Sequence, residues 1–154
     1  MTRLLYALVL LFAVSCGNKP ETRVYFRSSL WIIGNATEET LNVSWNFPGD
    51  SRSEEHLRPR DLTSIGSVDS TIPYVKPEFG EIQKLAGEEE MTISLYSDDG
   101  KLLKEWRWSE RDSPGRQIFD ESLWEKDETE YYNKITDAVW HFYILPEDIG
   151  QEEI

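Results

Sequence analysis

Apolar and polar residues alternate along two stretches of the chain. "LNVSWNF", residues 41–47, places an apolar side chain at every second position, and so does "MTISL", residues 91–95. A period of two is typical of a strand with one buried face, so both stretches predict strands. The short apolar run at residues 30–33 precedes the first of them across the polar stretch "NATEET". We therefore expect residues 29–47 to form a hairpin with a six-residue connection.

A second hairpin is predicted at residues 91–108. In "SDDGK", Asp99 and Gly100 are residues that favour a two-residue hairpin turn, and the returning strand is predicted over residues 101–108. A further strand is predicted over residues 62–68. The stretch before it, "GDSRSEEHLRPRD" at residues 49–61, has no periodicity and predicts a loop.

Two stretches have the spacing of helices. Behind Pro77, apolar residues recur at the interval of a short helix that ends before Gly87. In "DESLWEKDETEYYNKI", residues 120–135, Leu123, Trp124 and one of the two tyrosines would lie on one side of a second helix.

The last apolar run, "DAVWHFYIL" at residues 137–145, is interrupted only by His141 and predicts a central strand that is covered on both faces. Six or seven short strands with little helix predict a mainly β fold, an immunoglobulin-like β-sandwich with one or two short helices. The alternative is an α+β fold, in which an antiparallel sheet carries a helix on one face.

The start of the chain has a different character. Residues 4–14 carry no charge, Arg3 precedes them, and the next charged residue is Lys19. This is the pattern of a signal peptide, because the apolar run is shorter than the roughly 20 residues that a membrane-spanning helix needs. It ends at "AVSC", with small residues before Cys16.

These four residues resemble the lipobox of bacterial lipoproteins, although Ala13 stands where that family most often has leucine. The resemblance implies cleavage before Cys16, acylation of its sulfur with fatty acids such as palmitate, and a stable membrane anchor. The alternatives are a secretory signal with a chance cysteine, or a buried hydrophobic helix. The chain then divides into a signal peptide (1–15), a lipid-anchored tether (16–22), a single β-rich domain (23–147) and an acidic tail (148–154), which we expect to be frayed.

Charge and composition indicate which partners the mature chain can bind and how its domain is stabilised. Without residues 1–15 it has 139 residues, enough for one domain, and 15 basic against 29 acidic residues give a net charge of −14. A charge of that sign repels nucleic acid, so no nucleic-acid partner is expected. With Cys16 acylated, no cysteine remains for a disulfide, and stability must come from packing of the six Trp, seven Tyr and six Phe.

Several β motifs are similar to those of small Bacteroidetes lipoproteins. They are an "N-x-T" turn at residues 35–37, the "TISLYSDDG" hairpin, and the terminal pattern "W-x-F-x-I-x-P" at residues 140–146. The similarity implies a lipid-anchored protein of the cell envelope, held in the outer membrane. It leaves open whether the domain faces the periplasm or the outside, and it implies no activity.

Few side chains are candidates for catalysis or for binding a metal ion. His56 and His141 are the only histidines, and neither has a second histidine or a cysteine at the spacing of a zinc site. Acidic pairs are numerous, at residues 54–55, 88–90 and 127–128, and we interpret them as solvated surface. The sequence therefore predicts no catalytic residue, no metal and no cofactor.

The clearest candidate for a ligand-binding site is "EWRWSER", residues 105–111. Trp106 and Trp108 would share one face of a strand. If that face is exposed, the two rings form a platform on which a sugar can stack, with Arg111 or Glu110 bonding its hydroxyls. If it is buried, the rings belong to the core, and the alternation of the strand favours burial.

We therefore expect a non-enzymatic binding or interaction module on a lipid anchor, with an unidentified protein or glycan ligand. One alternative is an acidic inhibitor or immunity lipoprotein that covers a basic toxin. A second is a glycan-binding module that uses Trp106 and Trp108, and a third, a small hydrolase, would need His141 or an acidic pair in a cleft.

Overall fold

In its described residues, the computed structural model is a β-sandwich of two four-stranded sheets. It describes residues 28–46, 54–69, 78–81, 84, 90–131 and 134–151. The strands are β1 (Ser28–Asn35), β2 (Leu41–Asn46), β3 (Glu54–Leu57), β4 (Leu62–Asp69), β5 (Thr92–Ser97), β6 (Leu102–Arg107), β7 (Glu125–Tyr131) and β8 (Lys134–Ile144). Short 3₁₀ helices span Trp108–Glu110, Glu121–Leu123 and Pro146–Ile149. The predicted mainly β sandwich is confirmed, and the α+β alternative is not what forms.

The two sheets differ in strand direction. The first sheet has the order β4-β1-β8-β7, and its central strands β1 and β8 run parallel. The second sheet has the order β3-β2-β5-β6, and all its pairs are antiparallel. The first and last of the described strands thus lie side by side in the centre of the first sheet.

The core lies between the inner faces of the two sheets. Every second residue of β2 is buried, and β8 buries its inner positions in the same way. Trp106 of the second sheet meets Phe142 of the first edge to face, with ring centroids 5.8 Å apart. A second aromatic group surrounds Phe79, which stacks on Trp31 with a centroid distance of 4.4 Å. These large rings supply much of the buried apolar area.

The predicted hairpin of residues 29–47 does not form. β1 pairs with β4 and β8, whereas β2 pairs with β3 and β5 in the other sheet. The Asn35 side chain shapes the connection, because its Oδ1 accepts bonds from the backbone N–H and the hydroxyl of Thr37, at 3.0 and 2.8 Å. Its Nδ2 donates to the carbonyls of Glu39 and Leu57. The polar connection therefore crosses from one sheet to the other.

The predicted loop at residues 49–61 contains strand β3. Glu54–Leu57 pairs with the first four residues of β2, and only Leu57 of the four is buried. A strand of four residues at the edge of a sheet needs few apolar side chains, so it has no apolar alternation to reveal it. The strand predicted at residues 62–68 is confirmed as β4.

The second predicted hairpin is confirmed as β5 and β6, although its turn is longer than expected. Residues 98–100 form the connection, closed by the bond from the Ser97 N–H to the Lys101 carbonyl at 2.9 Å. Gly100 has φ +84°, the left-handed conformation of a three-residue hairpin loop. β6 ends at Arg107, so Trp108 lies in a 3₁₀ helix beyond the strand.

The helix predicted over residues 120–135 is wrong. Residues Glu121–Leu123 form a 3₁₀ turn that Asp120 caps, and the following residues form β7, which pairs with β8. β7 is an edge strand with residues 125–130 exposed, so its sequence is charged and lacks the apolar alternation of a half-buried strand. Of the apolar stripe predicted there, Leu123 and Trp124 precede the strand.

Three other predictions have mixed outcomes. Of the helix expected between Pro77 and Gly87, the described residues show one helical bond, from the Lys84 N–H to the Gly80 carbonyl at 3.2 Å; the rest lies outside the described residues. The central strand predicted at residues 137–145 is confirmed as β8, but it is not covered on both faces: its inner residues are buried, whereas outer residues such as His141 and Tyr143 are partly exposed. Of the tail expected to fray, Asp148 is buried within the 3₁₀ helix Pro146–Ile149, and residues 152–154 lie outside the described residues.

Candidate functional site

The predicted aromatic platform does not exist as a pair of exposed rings. Trp106 is 1% exposed, its Nε1–H donates to the Arg116 carbonyl at 2.9 Å, and its ring packs against Phe142. The strand ends between the two tryptophans, so Trp108 does not continue the same face. Trp106 is a core residue, as the alternation of its strand favoured.

Trp108 is half-buried and has one cationic and one aromatic neighbour. The guanidinium of Arg111 lies 4.4 Å from the centre of the Trp108 ring, a cation–π contact, and Phe119 meets the ring edge to face at 5.4 Å. A sugar could stack on that face only by displacing Arg111. The predicted platform of Trp106, Trp108 and Arg111 is therefore corrected to one core residue and one local surface contact.

The two histidines lie in different sheets. His141 is on β8, and its Nε2 lies 3.3 Å from the carboxylate of Asp127 on the neighbouring strand. His56 is on β3, and its Nδ1 lies 2.8 Å from Oδ1 of Asn42 and 4.0 Å from Asp98. Among the described residues, these polar partners are amide and carboxylate groups rather than a serine or cysteine nucleophile.

The acidic pairs have ordinary surface partners where the structure describes them. Glu128 pairs with Lys126, and the backbone N–H and hydroxyl of Ser109 donate to Glu90. The N–H bond, ahead of the hydroxyl bond, lowers the pKa of Glu90 below its usual 4.5. Within the described ranges, no three His, Cys, Asp or Glu side chains gather closely enough to hold a metal ion.

One end of the sandwich carries an open groove of about 330 Å³. Its walls come from three segments that are distant in sequence: the β1–β2 connection, the β5–β6 turn with the start of β6, and the C-terminal 3₁₀ helix. The lining residues are Glu39, Thr40, Leu41, Ser97, Asp98, Asp99, Leu103, Ile149 and Gln151. We call this feature the end groove.

The end groove has an apolar floor and an acidic rim. Leu41, Leu103 and Ile149 supply the floor, and the described lining contains the carboxylates of Glu39, Asp98 and Asp99 but no lysine or arginine. A floor of aliphatic groups under a rim of one charge can receive a side chain with an aliphatic stem and a cationic head.

The turn beside the groove holds one rim carboxylate, that of Asp99, in its charged form. The Ser97 hydroxyl donates to the carboxylate of Asp99, and this bond is the main cause that lowers the pKa of Asp99 below its usual 3.8. The backbone N–H and the positive charge of Lys101 act in the same direction. The Asp98 side chain is 73% exposed, and His56, 4.0 Å away, is a cation beside it when that ring is protonated.

A buried ionic cluster fixes the C-terminal wall of the end groove. The Asp148 carboxylate, next to Ile149, pairs with Arg116 and lies 3.5 Å from Nζ of Lys104 on β6. It also accepts the Leu145 N–H at 3.0 Å. Because these partners come from β6, the 111–120 segment and the chain after β8, they hold the short helix against the second sheet.

The end groove is not predictable from the sequence alone. "SDDGK" predicts a turn, and a turn forms there, but Glu39 and Ile149 lie beside that turn only because β1 and β8 end next to it. No local pattern signals a site whose walls come from three separate segments.

Cys16 and the tether at residues 16–22 lie outside the described residues. No helix within the described ranges has the length and apolar character that crossing a membrane requires. No protein-family model matches the chain, and no curated protein matches it.

Proposed function

We propose that the protein is a lipid-anchored cell-envelope protein whose β-sandwich is a non-catalytic module that binds a protein partner. The observation that carries the proposal is the place of Trp106. With this ring in the core, the described part of the surface lacks the predicted pair of exposed tryptophans on which a glycan would stack, and it offers the acidic end groove instead.

The proposed lipid anchor is supported by the lipobox-like residues before Cys16. Its test is metabolic labelling of cells with a palmitate analogue, followed by membrane fractionation. The wild-type chain should be labelled and sediment with the outer membrane. Cys16→Ser should lose the label and leave the membrane fraction, while retention of both by this variant would contradict the anchor.

The proposed binding of a protein partner is tested by chemical crosslinking in whole cells that express the full-length chain. A protein partner predicts a crosslinked product of defined mass, which mass spectrometry identifies. A chain that crosslinks only to itself or to nothing, under conditions in which a known envelope complex is captured, would contradict it.

A second candidate function is an acidic inhibitor or immunity lipoprotein that covers a basic toxin. The net charge of −14 on the mature chain and the acidic rim of the end groove favour it. Binding of this kind weakens as salt is added, because screening reduces the attraction between opposite charges. An identified partner that is acidic, or whose affinity is unchanged by salt, would rule this candidate out.

A further inference from the structure

The end groove lies at the opposite end of the sandwich from the point where the described chain begins. β1 runs from Ser28 to Asn35, and eight residues of strand extend over about 23 Å. The Asn35 end carries the groove, because Asn35 pairs with Ile144 just before the C-terminal helix, and Leu41 pairs with Ser97 at the β5–β6 turn. If the chain is anchored at Cys16, the groove points away from the anchored end.

The groove also selects the chemistry of its occupant. Its described lining has three acidic residues and no lysine or arginine, and with Lys101 beside Asp99 the net charge around the groove is still negative, so a cationic group is attracted and an anionic one is repelled. The bond from the Ser97 hydroxyl lowers the pKa of Asp99, so this rim carboxylate stays ionised into more acidic solution. The half-buried Leu103 and Ile149 gain from contact with an apolar stem, which a small inorganic cation does not provide.

We propose that the end groove is the docking site for a basic segment of the partner protein, in which a lysine or arginine inserts between the rim carboxylates and neighbouring aliphatic side chains cover Leu103 and Ile149. This inference rests on the proposed function and adds the surface and the partner chemistry. The charge complementarity of the rim is the observation that selects a basic segment over a second copy of this acidic chain.

The test uses a defined probe, a fluorescent peptide in which lysine and leucine alternate. Two matched peptides separate the two parts of the site: one has its lysines acetylated, which removes the charge, and the other has serine in place of leucine, which removes the apolar contact. The proposal expects tight binding of the lysine–leucine peptide and weak binding of both matched peptides. If the serine peptide binds as tightly as the lysine–leucine peptide, the proposed contact with Leu103 and Ile149 is contradicted.

Paired variants locate the binding on the protein. Glu39→Gln with Asp98→Asn removes two charges from the rim, and Glu54→Gln with Asp69→Asn removes two charges elsewhere, since Asp69 pairs with Ser28 at the opposite end. The rim variant should weaken binding about fivefold, and the control variant less than about twofold. Equal weakening by both would mean diffuse attraction to an acidic surface and would overturn the proposal.

NMR mapping completes the test. Adding the peptide should shift the backbone amides of Thr40, Leu103 and Ile149 and leave Ser67 and Val68 unchanged. Shifts centred on another face would overturn the docking site. The cellular crosslinking of the wild-type chain is a separate readout, so a partner captured there by a chain whose groove binds no peptide would leave the proposed function standing and reject only this inference.

Discussion

Asp148 shows how much a single side chain can determine in this domain. Its carboxylate is fully buried, and its charge is compensated by Arg116, by Lys104 and by one backbone N–H. Arg116 makes further contacts, since it donates to the Tyr143 carbonyl at 3.1 Å and lies 4.8 Å from the Phe142 ring. Removing the Asp148 charge leaves these partly buried cations without their shared partner.

We therefore predict that Asp148→Asn lowers the free energy of unfolding by about 3 kcal/mol. The matched control is Glu147→Gln, which removes a half-exposed carboxylate 3.4 Å from the same Arg116. Because a solvated ion pair contributes little, the control should change stability by less than about 1 kcal/mol. Urea unfolding of the wild type and both variants measures these changes in free energy. An unfolding midpoint of Asp148→Asn equal to that of the control Glu147→Gln would show that the Asp148 cluster does not stabilise the fold.

The Ser97–Asp99 bond makes a second prediction at the residue scale. Ser97→Ala removes the main cause of the lowered Asp99 pKa, so the pKa should rise toward 3.8, whereas Ser97→Thr keeps a hydroxyl and should keep it low. A carboxylate with a lowered pKa stabilises the folded state above its unfolded pKa, and this contribution is lost as the pH falls through the folded-state pKa. Carboxyl NMR titration reads the pKa directly, and an unchanged value in Ser97→Ala would contradict the assignment.

At the scale of elements, two glycines test two different constraints. Gly100 has φ +84°, and an added Cβ would meet only open space, so Gly100→Ala should cost about 1 kcal/mol through backbone strain alone. Gly34 lies between neighbouring strands, and a Cβ there would be 2.7 Å from Leu62 Cδ2 and 2.8 Å from Tyr143 Cδ1. Gly34→Ala should therefore cost about 1–3 kcal/mol through crowding.

A double-mutant cycle separates these causes. Leu62→Ala should recover part of the loss in Gly34→Ala, because it removes one of the crowded side chains, and should recover nothing in Gly100→Ala. Thermal unfolding of the single and double variants gives the coupling. No recovery at Gly34 would mean that its strain does not come from Leu62.

The edge strand β7 carries charged side chains on its inner side. Lys126 pairs in register with buried Trp140, its Nζ lies 5.2 Å from the centre of that ring, and it forms an ion pair with Glu128. Charged side chains on the inner side of an edge strand oppose pairing with a second copy.

Lys126→Thr with Glu128→Thr should therefore increase self-association, as measured by sedimentation velocity over a range of concentrations. The control is Glu125→Thr with Asp127→Thr, which changes the outer side of the same strand and should remain as monodisperse as the wild type. Self-association in the control alone would contradict a protective role for the inner charges.

The elements that the sequence predicts well are those with one buried face. Alternation identifies β2 and β5, and a continuous apolar run identifies β8, because burial imposes those patterns. β3 and β7 are edge strands with mostly exposed side chains, and their positions depend on hydrogen bonds to a neighbouring strand. Such bonds involve the backbone, which every residue has, so they leave little trace in the sequence.

The whole molecule combines a dense aromatic core with an acidic surface and a groove at one end. Burial of Trp106 could be predicted from the alternation of its strand, whereas the hairpin of β1 and β2 was predicted wrongly because local polarity does not reveal which sheet a strand joins. The end groove depends on the parallel pairing of β1 and β8, a contact between residues more than a hundred positions apart in the chain. It could not be predicted without the topology.

Binding of a protein by the end groove of the anchored domain can be tested by photocrosslinking in intact cells. A photoreactive residue is placed at Thr40 in the groove or at exposed Ser67 on β4, each in the full-length chain with and without Cys16→Ser. We predict a crosslinked product of defined mass from Thr40 that is absent from Ser67 and reduced when the anchor is removed. A product from Ser67 but not from Thr40, or no product from either position, would contradict the proposed mode of binding.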